Sequence, residues 1–211
     1  GELLEYLKKK DFKENLINQA GLIYSKDGKD YYDRFRHRII FSVFDVRNNC
    51  IGFGGRAIEN TEGPKYLNSP ETRVYLKSKN LYGLNFSKDY IRRDDRAILV
   101  EGYLDFISLS QFGTKNAVAS CGTALTSDHA KLLKRYTENI AVLYDADKAG
   151  ELATLRSLEI LISAGLNIDI VRLPEGFDPD SFIQKEGQEK FKEVLLYMLS
   201  RSGHIRQKRT P

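Results

Sequence analysis

The second half of the chain alternates short apolar runs with longer amphipathic stretches. Four apolar runs bounded by turn residues predict buried strands at 97–100, 116–120, 140–144 and 168–173. Apolar residues at helical spacing predict helices between them, at 105–112, 126–136 and 151–164. Strands that alternate with helices form right-handed crossovers, so we expect an α/β fold with a mostly parallel four-stranded sheet flanked by helices.

The first half has a different pattern. Two short helices are predicted at 2–10 and 12–19, and two strands at 34–44 and 50–58. Asn48-Asn49 lies between these strands and tolerates the left-handed conformations of a tight turn. We therefore predict an antiparallel hairpin over residues 34–58, within a smaller α+β N-terminal part.

Two stretches rich in glycine or proline adjoin this hairpin. Residues 52–56, Gly-Phe-Gly-Gly-Arg, lack the GxGxxG spacing of a dinucleotide site, and no helix follows them. They predict a bulge or a close backbone approach within the strand. Residues 63–72 contain two prolines and no periodicity, which predicts an irregular loop. Its Lys, Tyr, Asn and Ser side chains could contact a phosphate backbone.

A charged stretch at 92–96 separates the two patterns. We expect a basic N-terminal subdomain at 1–95, an α/β domain at 96–185, and a C-terminal helix with a basic tail at 186–211. Residues 31–96 contain 13 Lys and Arg against 8 Asp and Glu, a net charge of +5, whereas the remainder has a net charge of −1. This asymmetry favours a surface that holds polyanions, although a solvated basic face has the same composition.

Composition limits the class of protein. A hydrophobic content of 41% and a charged content of 29% are typical of a soluble globular protein. No apolar run approaches the ~20 residues that span a bilayer, and no signal peptide is evident, so we expect no membrane partner and a cytoplasmic location. Cys50 and Cys121 are isolated from each other and from any histidine, which predicts neither a disulfide nor a zinc site.

Carboxylates follow three of the four predicted strands: Glu101, then Asp145 and Asp147, then Asp178 and Asp180. Because the carboxyl ends of parallel strands share one edge of the sheet, we expect these side chains to converge. Converging carboxylates repel one another unless a cation neutralises them, and Mg²⁺ prefers carboxylate, water and phosphate oxygens. The sequence therefore predicts a site for divalent metal and phosphate, where two cations could clamp a phosphoryl transfer.

The acids also allow other interpretations. Asp145-x-Asp147-x-x-Gly150 resembles the start of an EF-hand loop, but Ala149 and Arg156 stand where that loop needs oxygen ligands, which excludes it. A structural role, with Asp147 capping a helix and Asp145 facing water, stays open for that pair alone. Asp105 is expected at a helix start, or else as a supporting partner of Glu101.

Two further kinds of site find little support. A Walker loop is absent from the sequence, which excludes a P-loop NTPase. The three histidines are scattered, and each is expected at a surface or helix position rather than as a general base: His37, His129 and His204.

Three motifs on the strand ends resemble the TOPRIM domain. They are Glu-Gly-Tyr-Leu-Asp (101–105), Tyr-Asp-Ala-Asp-Lys-Ala-Gly (144–150) and Leu-Pro-Glu-Gly-Phe-Asp-Pro-Asp (173–180). The resemblance implies a Rossmann-like arrangement of the parallel sheet. These acids alone are shared by topoisomerases, nucleases and recombination mediators.

Four motifs in the basic half narrow the resemblance to the RNA polymerase domain of bacterial DnaG-type DNA primases. They are Tyr-Asp-Arg-Phe-Arg-His-Arg-Ile (32–39), Gly-Phe-Gly-Gly-Arg (52–56), Pro-Lys-Tyr-Leu-Asn-Ser-Pro-Glu-Thr (64–72) and Leu-Tyr-Gly-Leu (81–84). The third is the most specific. The resemblance covers about residues 2–200.

This resemblance implies a nucleotidyltransferase that makes short RNA primers for DNA replication from NTPs on a single-stranded DNA template. It implies that Glu101, Asp145 and Asp147 are catalytic and hold more than one Mg²⁺ or Mn²⁺. Glu101 is also the candidate general base, and Asp178 and Asp180 fill out the metal site. The residues implied for binding nucleotide or DNA are Arg34, Arg36, Arg56, Lys65, Asn68 and Lys77.

The resemblance also sets expectations for partners. The family's zinc ribbon and its helicase-binding C-terminal domain have no counterpart here, so we expect no zinc and a fragment of the catalytic core with weak activity or none alone. The whole protein is expected to act in the cytoplasm, at the replication fork, with a replicative helicase.

Two alternative functions stay open. A TOPRIM nuclease or topoisomerase would cleave DNA without NTPs, and a non-catalytic nucleic-acid-binding module would bind independently of metal. For each function, contacts to phosphates predict that affinity for single-stranded DNA falls as salt rises.

Overall fold

The computed structural model describes residues 1–25, 27, 30–58, 63–144 and 148–201, with the backbone alone at 148–154 and 201. The chain divides into two compact units, Gly1–Leu76 and Lys77–Pro211. Each unit has its own sheet and is described by itself.

The first unit combines two short helices with two antiparallel sheets. Helices α1 and α2 pack Leu4 and Ile17 against Ile23 of the first strand, which forms a small buried core. Asp33 stabilises the start of α1, because its carboxylate accepts hydrogen bonds from the backbone N–H groups of Leu3 (3.0 Å) and Leu4 (3.1 Å). The elements are α1 (Glu2–Lys8), α2 (Glu14–Gln19), β1 (Ile23–Ser25), β2 (Tyr31–Asp33), β3 (Arg38–Phe44), β4 (Cys50–Ala57) and β5 (Tyr66–Asn68).

The predicted hairpin is present, because β3 and β4 pair antiparallel. The prediction that its first strand begins at Arg34 was wrong, since β3 begins at Arg38. His37 has a φ of 51°, a left-handed conformation that interrupts an extended strand. The preceding residues Tyr31–Asp33 instead form β2, which pairs with β1.

The stretch at 63–72 is more regular than predicted. Tyr66–Asn68 forms β5, the third strand of the β3-β4-β5 sheet. The two prolines lie outside these three residues, so they remove no ladder hydrogen bond. The close backbone approach predicted for 52–56 is confirmed, because a Cβ on Gly52 would lie 3.0 Å from the Tyr75 ring.

The second unit contains the predicted parallel sheet. Its four strands have the order β7-β6-β8-β9, and each neighbouring pair is parallel. This confirms the α/β fold with a four-stranded parallel sheet and flanking helices. The strands are β6 (Ala97–Val100), β7 (Ala117–Ala119), β8 (Asn139–Val142) and β9 (Asn167–Ile170), and the helices are α3 (Leu84–Asp94), α4 (Tyr103–Gln111), α5 (Ser127–Lys134), α6 (Lys148–Ser163) and α7 (Pro179–Arg201), after a 3₁₀ turn at Lys77–Lys79.

Polar side chains fasten the amino edge of this sheet. Arg96, just before β6, donates a 2.5 Å hydrogen bond to the carboxylate of Asp169 in β9, which is 2% exposed. Asp95 accepts hydrogen bonds from Thr137 (2.9 Å) and from the Asn139 side chain (3.0 Å). These bonds leave the opposite, carboxyl edge of the sheet for the acidic residues.

The compact units divide at a different place from the boundary predicted at residue 95. Tyr82 exchanges backbone hydrogen bonds with Ala119 of β7, and Ser87 of α3 donates a buried 2.6 Å hydrogen bond to the Ala117 carbonyl. These long-range bonds attach residues 77–95 to the parallel sheet. At the other predicted boundary, residues 185 and 186 both lie inside α7, shortly before a break at Gly187, which has a φ of 82°.

Membrane insertion finds no support in the helices. Among the residues that the structure describes, none forms a helix with both the length and the apolar character needed to cross a bilayer.

Candidate functional site

Glu101 follows the strand that lies between β7 and β8. Its backbone carbonyl accepts a 2.8 Å hydrogen bond from the N–H of Cys121, and the neighbouring Val100 carbonyl accepts one of 3.2 Å from Ser120. The β6–β7 pairing thus continues past the last residues of both strands. The half-buried Glu101 is therefore fixed through its backbone near the middle of the carboxyl edge. The sequence predicted its position after this strand, and its role as a metal ligand stays a prediction.

Tyr144 marks the end of the neighbouring strand. Its buried hydroxyl lies 3.1 Å from the Ser157 hydroxyl of α6. Burial raises the pKa of Tyr144, a hydrogen bond with Ser157 lowers it and the charge of Glu101 raises it, with a resulting pKa of about 12.

The acidic pair predicted to follow Tyr144 cannot be located in the same way. Asp145 and Asp147 lie outside the described residues. The backbone leading to them is described, because Leu143 donates a 2.9 Å hydrogen bond to the Leu99 carbonyl and Val171 donates one of 2.9 Å to Val142. The hydrogen bonding between β6 and β8 therefore continues to Leu143, and that between β8 and β9 continues to Val171.

The sequence predicted that Asp178 and Asp180 follow the end of the fourth strand, but the structure places them elsewhere. Strand β9 ends at Ile170, and both residues lie at the start of α7. The Asp178 carboxylate accepts hydrogen bonds from the Ser181 N–H (2.6 Å) and hydroxyl (2.5 Å), while the Ser181 hydroxyl accepts one from the Asp178 N–H (3.1 Å). This reciprocal cap precedes Pro179, a residue favoured in the first helical turn. The sequence pattern of Asp-Pro-Asp-Ser could have indicated a helix start.

Asp180 is held by the neighbouring helix. One oxygen of its carboxylate accepts hydrogen bonds of 2.5 Å from both the Ser108 hydroxyl of α4 and the Gln184 side chain. These bonds orient the carboxylate toward α4. A cation could therefore bind Asp180 only alongside the Ser108 and Gln184 donors.

Asp105 joins two of the acidic segments. Its buried carboxylate accepts a 2.8 Å hydrogen bond from the N–H of Gly102 and a 3.3 Å hydrogen bond from the N–H of Asp180. The first bond confirms the expected helix-start role at α4. The second was not predicted, because it connects residues 75 positions apart. Asp105 thereby fixes the start of α7 next to the residue that follows Glu101.

Cys121 is a poor candidate for nucleophilic chemistry. Burial raises the pKa of its thiol well above the ordinary value, the charge of Asp105 adds to this, and only a hydrogen bond with Tyr103 opposes it. The thiol therefore stays protonated and unreactive at neutral pH.

The donor set at this edge suits a hard cation. Each predicted ligand is a carboxylate, without sulfur or imidazole, which fits Mg²⁺ or Mn²⁺ and not zinc. Within the described ranges, no three His, Cys, Asp or Glu side chains form a cluster able to hold a metal ion. Two of the five predicted ligands fall outside those ranges, so the set remains a prediction.

In the first unit, the structure brings together four of the six predicted nucleotide- or DNA-binding residues. Arg34 donates two hydrogen bonds, of 3.3 and 3.2 Å, to the carbonyl of Asn68. Partial burial lowers the pKa of Arg34, though its guanidinium stays charged near neutral pH. Arg56 of β4 pairs with Tyr66 of β5, whose ring lies 6.0 Å from both the Arg56 guanidinium and the Lys65 ammonium group.

Tyr66 was predicted only as part of a loop that could contact a phosphate backbone, and not among the six binding residues. It is exposed and flanked by two cations, an arrangement that suits contact with a stacked base and its phosphates. The signal was an aromatic residue inside a basic motif. Arg36 lies apart from this group, with its guanidinium 5.8 and 5.6 Å from the Tyr24 and Tyr32 rings.

Lys77 belongs to the second unit. It begins the 3₁₀ turn, which lies against α5. Two backbone carbonyls of this turn are bonded to Thr126 and His129, a role that was not predicted for His129. His129 lies on a helix, as expected, but it is fully buried rather than at the surface. His204 lies outside the described residues.

Comparisons with known proteins agree with this architecture. Residues 98–183 match the family described as Toprim-like, and residues 1–88 match the family described as the N-terminal domain of the DNA primase catalytic core. Residues 98–183 therefore have a Toprim-like fold, built on the parallel sheet of the second unit.

Curated relatives extend this result. The DNA primase of Clostridium acetobutylicum is 52% identical over 195 residues, which are 92% of this chain and 32% of that protein. The DNA primase of Aquifex aeolicus is 42% identical over 193 residues, which are 92% of this chain and 39% of that protein. The chain thus spans about a third of the length of these relatives.

Solved structures agree. The Aquifex aeolicus primase, with its zinc-binding and RNA polymerase domains, superposes with a TM-score of 0.86 at 40% identity, covering 93% of this chain and 48% of that one. A DnaG primase catalytic domain bound to single-stranded DNA gives a TM-score of 0.79 at 40% identity, covering 87% and 60%. The chain belongs to the DnaG-type bacterial DNA primases, and it comprises the N-terminal and Toprim domains of their catalytic core.

Proposed function

We propose that this chain carries the nucleotidyl-transfer site that makes short RNA primers on single-stranded DNA. The observation that carries the proposal is the placement of Glu101 on the central carboxyl edge of a Toprim sheet, in a chain 52% identical to a DNA primase. The substrates are NTPs, and the products are an extended RNA strand and pyrophosphate.

The acidic residues at this edge would have different roles. Glu101, Asp145 and Asp147 would hold Mg²⁺ or Mn²⁺, which supplies charge neutralisation at the α-phosphate when bound. The Glu101 carboxylate would also accept the proton of the attacking 3′ hydroxyl. Asp178 and Asp180 would complete the negative field, while their hydrogen bonds to Ser181, Ser108 and Gln184 keep the start of α7 in place.

The basic residues would hold the polyanions. Arg56 and Lys65, beside the exposed ring of Tyr66, would contact template phosphates and an unpaired base. Arg34 keeps Asn68 in position through the Asn68 carbonyl. Arg36 and Lys77 would add further contacts to phosphate.

The whole protein is proposed to act in the cytoplasm, at the replication fork, together with a replicative helicase. This part of the proposal rests on the relatives, which are named DNA primase and of which the chain spans about a third.

The test is primer synthesis by the chain alone and by a chimera in which it replaces the matching 195 residues of the Clostridium acetobutylicum primase. The assay measures Mn²⁺- or Mg²⁺-dependent oligoribonucleotide synthesis on single-stranded DNA. In the chimera, Asp145→Ala is expected to reduce synthesis at least about 100-fold, because transition-state charge loses its neutralisation.

The matched control is Glu138→Ala. Glu138 is an exposed carboxylate just before β8, at the opposite end of the strand that leads to Asp145, so its loss should leave synthesis unchanged. Synthesis that survives Asp145→Ala would disprove the site, and a chimera that cleaves DNA without NTPs would disprove the reaction.

A further inference from the structure

The 3₁₀ turn that carries Lys77 is bonded to the start of α5 at two successive carbonyls. The Lys77 carbonyl lies 2.8 Å from Nε2 of His129, and the Ser78 carbonyl accepts a 2.6 Å hydrogen bond from the Thr126 hydroxyl. Both contacts lie within the second unit and join residues 52 and 48 positions apart.

Thr126 and His129 are also bonded to each other. Thr126 is the N-cap of α5, and its hydroxyl accepts a 3.1 Å hydrogen bond from the His129 N–H. The Thr126 N–H donates a 3.3 Å hydrogen bond back to Nδ1 of His129. This is a capping box in which a histidine stands where Glu or Gln is usual.

The bonds assign the tautomer of His129. Nδ1 faces a donor, so it carries no proton, and Nε2 carries the proton that it donates to the Lys77 carbonyl. Burial lowers the pKa of His129, which keeps the ring neutral and this arrangement intact near neutral pH. Both ring nitrogens are thus hydrogen-bonded, Nδ1 to the N-cap of its own helix and Nε2 to the turn.

A capping box by itself does not require the bond to Lys77. Asp105, at the third position of α4, accepts a hydrogen bond from the N–H of the N-cap residue Gly102 with a shorter side chain, and glycine has no side chain to bond in return. The longer imidazole at 129 accepts in the same way through Nδ1 and adds a donor, Nε2, that extends beyond the helix. The stability of α5 does not explain why the side chain at 129 extends as far as the Lys77 carbonyl.

We propose that Thr126 and His129 form a clamp that positions Lys77 for nucleic acid phosphate, making His129 a positioning residue for the site. The proposal rests on the proposed function, which gives Lys77 a phosphate contact. By holding two carbonyls, the clamp fixes the backbone from which the Lys77 side chain extends. The lysine then loses less freedom on binding than it would from a turn held only by its own bonds.

Two substitutions separate the clamp from the cap. His129→Asn keeps an oxygen able to accept from the Thr126 N–H, as Asp105 does for Gly102, but its amide is too short to reach the Lys77 carbonyl. His129→Gln can accept from the N-cap with its oxygen and still present an N–H at the reach of Nε2. The first should break the clamp alone, and the second should restore it.

The experiment measures affinity for a single-stranded DNA oligonucleotide by fluorescence anisotropy in the whole chain at low salt. We expect Lys77→Ala to weaken binding about three- to tenfold, as the loss of one phosphate contact does. His129→Asn should weaken it by a similar factor, and His129→Gln should bind as the parent does. In a Lys77→Ala background, His129→Asn should cause no additional loss.

Amide hydrogen exchange over residues 77–80 supplies a readout of the clamp itself. His129→Asn should speed exchange there while leaving the remainder of α5 as protected as in His129→Gln. Because the cap is retained in both variants, general unfolding of α5 in His129→Asn would overturn the assignment.

The failures are distinguishable. If Lys77→Ala weakens binding but His129→Asn does not, or if His129→Asn weakens it equally without Lys77, the clamp is disproved and the proposed function stands. If Lys77→Ala binds as tightly as the parent, the phosphate role of Lys77 is wrong, and the positioning role of His129 fails with it.

Discussion

Gly83 shows how a single residue can depend on both backbone conformation and space. It precedes α3 with a φ of 81°, and a Cβ built there would lie 2.1 Å from the ring of Phe106. The sequence showed only a glycine within Leu-Tyr-Gly-Leu. The conflict with Phe106 could not be predicted, because that residue belongs to another helix.

Gly83→Ala should therefore lower the free energy of unfolding by about 3 kcal/mol or more, combining left-handed strain with overpacking. Gly176→Ala is the matched control, since Gly176 has a φ of 85° but nothing within 4 Å of its Cβ position. It should cost about 1 kcal/mol. Urea unfolding measures both values, and equal losses would contradict the contact with Phe106.

His129 also predicts a pH dependence of stability. Its pKa in the folded protein is lowered, chiefly by burial, while the Lys77 and Asn80 backbone and the Asp128 charge act in the opposite direction. Below a pH of about 6.5, the unfolded chain binds a proton that the folded ring resists. Stability should therefore fall with pH from about 6.5, with a slope from this group of at most about 1.4 kcal/mol per pH unit.

The measurement is urea unfolding from pH 7.5 to 5 for the parent and for His129→Gln. The variant should lose this part of the slope and keep the part due to carboxylates. Identical slopes in the two proteins would show that His129 does not titrate as described.

At the scale of elements, the local sequence pattern predicted the strands and helices that depend on nearby residues. Strands β6 and β7 are apolar throughout, while β8 and β9 also contain Asn139, Asn167 and Asp169. Strands β6 to β8 lie close to their predicted ranges. β5 and the pairing of Tyr82 with Ala119 were not predicted, because they depend on a partner far along the chain. The shift of Asp178 and Asp180 from a strand end to a helix start has a different cause, because Asp-Pro-Asp-Ser was a local signal for a helix start that the prediction did not use.

The testable prediction at this scale concerns Asp105, because its carboxylate connects the starts of α4 and α7. Asp105→Ala leaves the N–H groups of Gly102 and Asp180 without this acceptor, so the free energy of unfolding should fall by about 2–4 kcal/mol. Asp89→Ala is the control. Its side chain is 76% exposed in a surface pair with Arg92, and its loss should cost less than about 1 kcal/mol. Similar losses for the two variants in urea unfolding would contradict the bridging role.

At the scale of the whole molecule, the sequence separated a basic part from an acid-bearing sheet. The first unit carries five of the six residues predicted to bind nucleotide or DNA, and Lys77 lies in the second unit. The contacts that those residues make could not be predicted from the sequence. Arg34 holds a carbonyl, Asp180 is shared by two donors, and Tyr66 lies between two cations. Such arrangements follow from tertiary packing and leave no periodic signal.

The salt dependence of binding tests the basic residues together. The slope of log affinity against log salt for single-stranded DNA should be negative, with each neutralised phosphate contributing about −0.7. Lys65→Ala should make it less negative by about 0.7. Lys115→Ala, which removes an exposed charge near the amino end of β7, should leave the slope unchanged. A flat dependence in the parent would disprove the phosphate contacts.

The backbone bond between Cys121 and Glu101 has a consequence for how tightly the carboxyl edge can capture a ligand. Fixing one residue's backbone costs about 1–2 kcal/mol of conformational free energy. For Glu101 that cost is met when the sheet forms, because the Cys121 N–H holds its carbonyl at 2.8 Å. The backbone of Glu101 is thus ordered before any ligand arrives, so a ligand that its carboxylate captured would not have to meet this cost.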